Sequence, residues 1–291
     1  MTRLSNAGRW GAGDQLGTLN LITPAKRRVA AQSVRDGLSI SLANELTASP
    51  DSNAIAPLRF GLIPNRYDTL AIAAVDTLWL LVHGWAYTHV DALGHFAYRD
   101  MMYNRHAAAQ LRREGAQRLG IENMHAGIVT RGVIVDMARH KRVPFLEAST
   151  PITADDIETW ERANGVRVEP GDVLLLRTGR AERTRAQGPW VVFRSAAGPH
   201  PSLAFWLKER GVAALGTDVA NELSPSLVPG IADPLHFLTI VAQGMPLFDN
   251  LNLETLAAEA TARSRPTFLF VASPLRIRGG TGSPVNPLAI F

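Results

Sequence analysis

The stretch "DTLWLLVHGWAYTHVD", Asp76 to Asp91, continued by "ALGHF", Ala92 to Phe96, decides how the chain folds and where its chemistry lies. It opens on the apolar run "LWLLV", Leu78 to Val82, and then places His89, Asp91 and His95 within seven positions. Read as a strand, with room for a break, it sends alternate side chains to one face, so His83, Trp85, Tyr87, His89 and Asp91 point the same way. On a helix His89 and Asp91 would sit about 200° apart, so only the extended form brings them to one ion. Gly94 permits a turn, from which His95 folds back over that face, and the end of a strand is where α/β proteins place ligand chemistry.

Similar runs recur along the chain. "LSISLA" (Leu38 to Ala43), "GIVTRGVIVDM" (Gly127 to Met137), "DVLLLRTG" (Asp172 to Gly179), "VAALGTD" (Val212 to Asp218) and "TFLFVAS" (Thr267 to Ser273) read as strands, most of them apolar on both faces and hence buried in a sheet. Helices alternate with them. "TADDIETWERANG" has Thr153 as N-cap, acidic residues in its first turn and Gly165 as stop; "HPSLAFWLKERG" carries Pro201 near its start and Gly211 at its end; Pro24 opens "PAKRRVAAQSVRDG", closed by Gly37. The pattern predicts an α/β fold, a single domain over residues 1–291 whose mixed, largely buried sheet is flanked by helices, with an N-terminal arm over about residues 1–23.

Composition narrows the function. The chain of 291 residues is 46% hydrophobic and 19% charged, as soluble globular proteins are. Its net charge is +4, and no run of five or more like charges forms a phosphate-tracking patch, which argues against nucleic acid despite a pI of about 9.8. There is no cysteine, so disulfides, thiolate nucleophiles and sulfur-ligated metals are excluded and any metal must be held by nitrogen and oxygen. No apolar segment follows the early arginine, and no window reaches the roughly 18–20 apolar residues of a membrane span, so a cytoplasmic location without membrane attachment is expected.

From spacing alone, His89, Asp91 and His95 are a metal site, an acid–base pair, or polar residues on a solvated edge. The segment resembles the HxxxHxDxxxH motif of the cyclase family of metal-dependent hydrolases, which includes kynurenine formamidases, isatin hydrolases and trans-dienelactone hydrolases. The resemblance extends to "RWGAGDQLGTLNLITP" (Arg9 to Pro24), "GIVTRGVIVDM", "GDVLLLRTG", "LGTDVANE" (Leu215 to Glu222) and "GGTGSPVNPLAIF" (Gly279 to Phe291), and to the longer-chain branch of the family. It implies a swivelling β/β/α fold, His89 and Asp91 as metal ligands, and His95 as the proton-transfer residue. The family's first histidine is replaced by Trp85, with His83 two residues before it, which implies one ion per chain rather than two. Distal ligands in the family correspond here to His236 and Asp249, the latter in place of a glutamate; a packed helix-face histidine and a capping aspartate are the competing readings. His83, Trp85, Trp10 and Asn20 are the candidate substrate contacts.

Other polar residues read less sharply. Asp218, Asn221 and Glu222 either line the pocket or serve a loop; His125 and His140 read as surface residues, and His106 as a helix-face residue near the site. "GGTGSP" lacks the lysine of a phosphate-binding loop.

The expected function is hydrolysis, in which metal-activated water opens a C–N bond of an amide or lactam in a cyclic or aromatic small molecule. Two alternatives stay open: a lactone-opening hydrolase with the same site, and a degenerate member that binds a small molecule without turnover. The cofactor is a divalent ion, Zn2+ or Mn2+. A homodimer or homotetramer is expected from the resemblance, with the glycine-rich N-terminal arm as an exchanged or packing segment.

Overall fold

Residues 1–49, 51–66 and 72–291 are described by the structure, a computed structural model. Apart from two-residue ribbons, its strands are β1 (Ser39–Ser41), β2 (Arg59–Arg66), β3 (Ile72–Trp79), β4 (His89–Asp91), β5 (Ile128–Asp136), β6 (Val173–Arg177), β7 (Ala214–Thr217), β8 (Leu247–Asp249), β9 (Thr267–Ala272), β10 (Gly282–Pro284) and β11 (Leu288–Ile290). Nine of them form one mixed sheet in the order β1-β11-β9-β5-β6-β7-β8-β4-β10. The central β5, β6, β7 and β8 run parallel, and the strands on either side pair antiparallel. The remaining two, β2 and β3, pair only with each other.

The central strands read as unbroken apolar runs because both faces are covered. Val173 and Leu175 enter one hydrophobic core, while Leu174 and Leu176 enter the other; Ile134 and Val135 on β5, and Ala214 and Leu215 on β7, divide in the same way. A two-sided core removes the polar alternation of a half-solvated strand, as parallel strands require. Among the described residues the α-helical segments are α1 (Pro24–Gln32), α2 (Met137–His140), α3 (Ala154–Asn164), α4 (Arg180–Gln187), α5 (Leu203–Arg210), α6 (Pro234–His236), which runs into a π-helical segment at Phe237–Gln243, and α7 (Glu254–Ala262). Among the described residues no helix is long and apolar enough to cross a membrane.

Helix ends follow the sequence closely where capping chemistry is local. Thr153 and Asp156 form a reciprocal capping box on α3, and Gly165 ends it at φ 63°. Gly211 ends α5 at φ 67°. The exception is α1, which stops at Gln32 and not at Gly37: the Ser33 hydroxyl donates to the Ala30 carbonyl at 2.6 Å, and the Asp36 and Gly37 amides are taken by the Phe291 carbonyl.

The N-terminal arm packs on its own chain. Asn6 N–H donates to the Ala242 carbonyl and Thr18 N–H to the Gly244 carbonyl, both at 2.8 Å. Gly17, at φ 57°, lies so close to Gly244 that a Cβ there would stand 1.9 Å from its carbonyl oxygen. Through these contacts the arm packs against the body of its own chain.

Candidate metal centre

Two residues apart on β4, His89 and Asp91 project from one face, while Val90 between them enters the core on the other. Antiparallel pairing sets Asp249 on β8 directly opposite His89 and so brings its carboxylate to the same face. The fourth group is His236, at the end of α6 where the helix widens into its π segment; such widenings recur at functional sites. The donor atoms of His89, Asp91 and Asp249 lie within 4.8 Å of one another, and His236 adjoins them. His89 Nε2 lies 3.5 Å from Asp91 Oδ1 and 3.6 Å from Asp249 Oδ2, and His236 Nε2 lies 3.6 Å from Asp91 Oδ2 and 3.7 Å from Asp249 Oδ2. Donors held at about 2.1 Å by one four-coordinate ion stand about 3.4 Å apart, so the spacing among His89, Asp91 and Asp249 suits a divalent ion, with His236 approaching the cluster through the other Asp91 oxygen. All four residues are buried, and Asp91 Oδ2 has no hydrogen-bond partner within the chain, as expected of an oxygen reserved for a cation.

Neighbouring groups aim the ligands. His89 Nδ1 donates to the Tyr87 carbonyl at 2.8 Å; Glu222 Oε1 accepts from His236 Nδ1 at 2.9 Å and from its backbone N–H at 2.8 Å. In both rings the proton is thereby placed on Nδ1, and Nε2 is left free to ligate. Asn221 Nδ2 donates to Asp249 Oδ1 and, at 2.7 Å, to the Phe248 carbonyl. "LGTDVANE" shows its polar residues in the sequence; their partners, fourteen and more positions away, are visible only in the fold. Burial alone would raise Asp91, but His95, His83 and His89 around it hold its carboxyl well below the usual range. Burial also opposes a charge on His236, yet Asp249 and Glu222 outweigh it and raise that imidazole, while burial pushes the Glu222 carboxyl up.

His95 follows β4 on a loop, its Nε2 3.9 Å from Asp91 Oδ1 and its ring stacked on His83 at 3.6 Å. Burial pushes the His95 imidazole down to about 4, with His83 and His236 adding to the effect and Asp91 opposing it, so it is neutral at pH 7. The atoms of His83, Asp91 and His95 form a second donor cluster that shares Asp91 with the first. Its geometry differs, because His83 Nδ1 lies 2.8 Å from Asp91 Oδ1, a hydrogen-bond distance shorter than that between two ligands of one ion, and His83 Nε2 meets Thr281 Oγ1 at 3.1 Å. His83 thus orients Asp91.

The expected strand over Asp76 to Asp91 proves to be two. β3 ends at Trp79 and β4 begins at His89, with Gly84 at φ 123° between them. Side chains hold the intervening carbonyls that a ladder would have used: Asn250 Nδ2 donates to Gly84 O and Tyr87 O, and Arg180 Nη2 to Trp85 O at 2.7 Å. The shared face predicted for His83, Trp85 and His89 is accordingly absent, and His83 reaches the cluster from a loop. Arg180 and Asn250, joined at 2.7 Å, were not singled out by sequence, since their role depends on contacts seventy and more positions away.

Trp85 lines a cleft of about 440 Å³ with Phe193, Pro225 and Glu222, its ring 4.9 Å from that of Phe193. Trp10 and Asn20 have their partners in the N-terminal arm: Arg9 lies over Trp10, and Asn20 Nδ2 donates to Asp14 Oδ1 and the Gly17 carbonyl. Asp218 is a scaffold group whose carboxylate accepts from the amides of Thr178, Gly179 and Arg180 and from the Thr178 hydroxyl. His106 follows a short 3-10 turn, not a helix face.

An isatin hydrolase of Roseibium aggregatum is 28% identical over 153 residues, 48% of this chain and 52% of that protein, so the chain spans about half the length of this curated relative. A crystal structure described as a novel cyclase superposes with a TM-score of 0.88 at 29% identity, covering 100% of this chain and 98% of the other. Isatin hydrolase A from Ralstonia solanacearum shares the fold at a TM-score of 0.61 and 22% identity, over 90% of this chain and 93% of that one. Residues 38–221, more than half of the sequence and the part that holds His89, Asp91 and His95, match the Cyclase family, and the chain belongs to that family.

Proposed function

We propose that the chain is a metal-dependent hydrolase that opens the C–N bond of an amide or lactam in a cyclic or aromatic small molecule. The observation that carries this reading is the buried donor cluster of His89, Asp91 and Asp249, with His236 adjoining it and neutral His95 beside it. Support comes also from the relatives: one is named for hydrolysis of isatin, a cyclic amide, and a structural neighbour at 15% identity is titled a potential metal-dependent hydrolase. The donor set, two imidazoles and two carboxylates, suits Zn2+ or Mn2+, one ion per chain. Such an ion supplies a hydroxide equivalent near neutral pH and positive charge opposite a carbonyl oxygen.

The chain's own residues do the rest. His95, uncharged at pH 7, accepts the proton that water loses on adding to the carbonyl carbon, and returns it to the departing nitrogen as the C–N bond breaks. His83, stacked on His95 and hydrogen-bonded to Asp91, fixes both. Trp85 and Phe193 offer an aromatic wall to a flat substrate in the adjoining cleft. A hydrolysis screen over amides, lactams and lactones, with and without chelator, tests the reading. Chelator-sensitive turnover of amides or lactams is expected. Turnover of lactones alone would move the assignment to C–O bonds, and turnover untouched by metal removal would refute it.

A further inference from the structure

The end of β5 outruns its neighbour in the sheet. β9 begins with Thr267 opposite Val133, whereas β5 continues to Asp136, its Ile134 N–H donating to the Pro266 carbonyl at 2.9 Å just before β9 starts. A cleft of about 490 Å³ opens beside this overhang, between the end of α2, the last turn of α3 and α7. Its volume lies within the ~300–1,000 Å³ of small-molecule sites. It shares no lining residue with the Trp85 cleft and contains no residue of the metal cluster. Ile134, Ala257 and Ala260, all buried, give it an apolar floor, and Arg139, His140 and Arg142 give it a basic rim.

The rim forms where the chain reverses. α2 ends at His140, and Arg142, at φ 57°, turns the backbone so that Val143 N–H returns to the Ala138 carbonyl at 3.0 Å. The acids nearby do not neutralise the rim. Lys141 takes Asp156, while Asp136, in the cleft wall, accepts from Arg177 Nη1 at 2.9 Å and from the Arg139 backbone N–H at 3.0 Å. Among the described residues the guanidinium groups of Arg139 and Arg142 have neither a carboxylate within ion-pair distance nor a hydrogen-bond acceptor, which leaves both forks free over an apolar hollow. We propose that this cleft is a second binding site, for a small organic oxyanion, a carboxylate or a phosphate monoester. Arg139 and Arg142 hold its charged end, and its apolar body lies on Ile134, Ala257 and Ala260. The planar guanidinium fork matches either oxyanion in a two-point contact, and the apolar floor favours an anion that carries a body over a bare ion.

The test is calorimetric titration of metal-loaded protein with benzoate and with phenyl phosphate, alongside benzamide as the uncharged probe and inorganic phosphate as the probe without a body. At least one of the two organic anions should bind saturably with a dissociation constant of about 1 mM or below, ordinary for a ligand of about ten heavy atoms, and the tighter of the two identifies the charged group. Replacing both arginines, Arg139→Ala with Arg142→Ala, should weaken that binding about tenfold or more, because charge-assisted hydrogen bonds are lost. Ala163→Trp, in the cleft wall, should weaken it with no change of charge, by narrowing the cleft. All three positions are exposed, and thermal melts serve as fold controls. Binding of a probe at the active-site ion is untouched by these changes and does not mimic the result. Failure of both organic anions to saturate by about 10 mM would overturn the proposal. So would an affinity unchanged in the double arginine variant or in Ala163→Trp, benzamide binding as tightly as benzoate, or inorganic phosphate binding as tightly as phenyl phosphate.

Discussion

Replacing Glu222 by alanine should weaken metal binding without touching a ligand. Its Oε1 is the one acceptor for both His236 Nδ1, at 2.9 Å, and the His236 backbone N–H, at 2.8 Å, so it fixes the ring's tautomer, its direction and the end of α6 together. Loss of such a partner costs about 10–100-fold in metal affinity, or about 1.4–2.8 kcal/mol. The same change leaves two buried donors unpaired, a penalty of about 1–3 kcal/mol on the fold, which lowers the melting temperature of the metal-free protein by several degrees. Glu222→Gln keeps an acceptor oxygen in place, and its affinity should stay within about tenfold of wild type, since only the charge is lost. Competition with a chelator of known affinity gives the dissociation constants, and melts of metal-free protein give the structural cost separately. If alanine binds metal as tightly as glutamate while the melting temperature falls, Glu222 supports the helix and not the ligand, and the role given to it is wrong.

Other outcomes follow from the same geometry. His89→Ala and Asp91→Ala should each lose metal and activity, because one of four protein ligands is gone; full metal occupancy by elemental analysis in either variant would refute the assignment. Fully loaded wild type should hold one ion per chain, and a second ion coordinated by His83 would show that the His83–Asp91 contact gives way to ligation. His95→Ala should retain its metal and lose about 10²–10⁴-fold in rate; a metal-depleted variant, partly rescued by added metal, would make His95 a ligand. Asp156 titrates below its ordinary 3.8 because, although burial raises it, the Lys141 ammonium and the Thr153 N–H and hydroxyl favour its charged form. Its contribution to stability is therefore present above that pH and fades as pH falls through the lower folded value. Asp156→Asn should melt below wild type at pH 7 and draw level near pH 2, and an undiminished gap in acid would count against the reading.

What the sequence revealed depended on how local the cause was. β5, β6 and β7 are legible because strands covered on both faces run apolar, β9 because Phe268, Phe270 and Ala272 alternate into the core, and α3 because its caps lie within the helix's own ends. β8 was hidden. The "DN" at its end reads as capping chemistry, and only pairing with β4, some 160 positions earlier, and with β7 makes Leu247 to Asp249 a strand. A break between β3 and β4 was allowed for, but its place was hidden, since it is imposed by Arg180 and Asn250, which reach the loop's carbonyls from α4 and from the end of β8. His89 and Asp91 were readable because two positions along an extended chain are enough to place two ligands together. The cleft wall from Phe193 and Pro225 was not, because nothing in their own segments points toward Trp85.

The aspartate at 249, where the family pattern has a glutamate, shows how register can compensate for reach. A residue directly opposite His89 in an antiparallel pair has its Cβ about 5 Å from that of its partner. From there a short carboxylate arrives 3.6 Å from His89 Nε2 and 3.7 Å from His236 Nε2, level with Asp91 across the set. Asn221 then holds the opposite oxygen, Oδ1, which leaves Oδ2 turned to the other donors. The extra methylene of glutamate would carry the carboxylate past this position unless the strand shifted. Shortening the side chain and fixing the backbone by the ladder are thus two halves of one arrangement, in which β4 presents three of the four donors with its neighbour β8 while the π segment after α6 turns the fourth toward them.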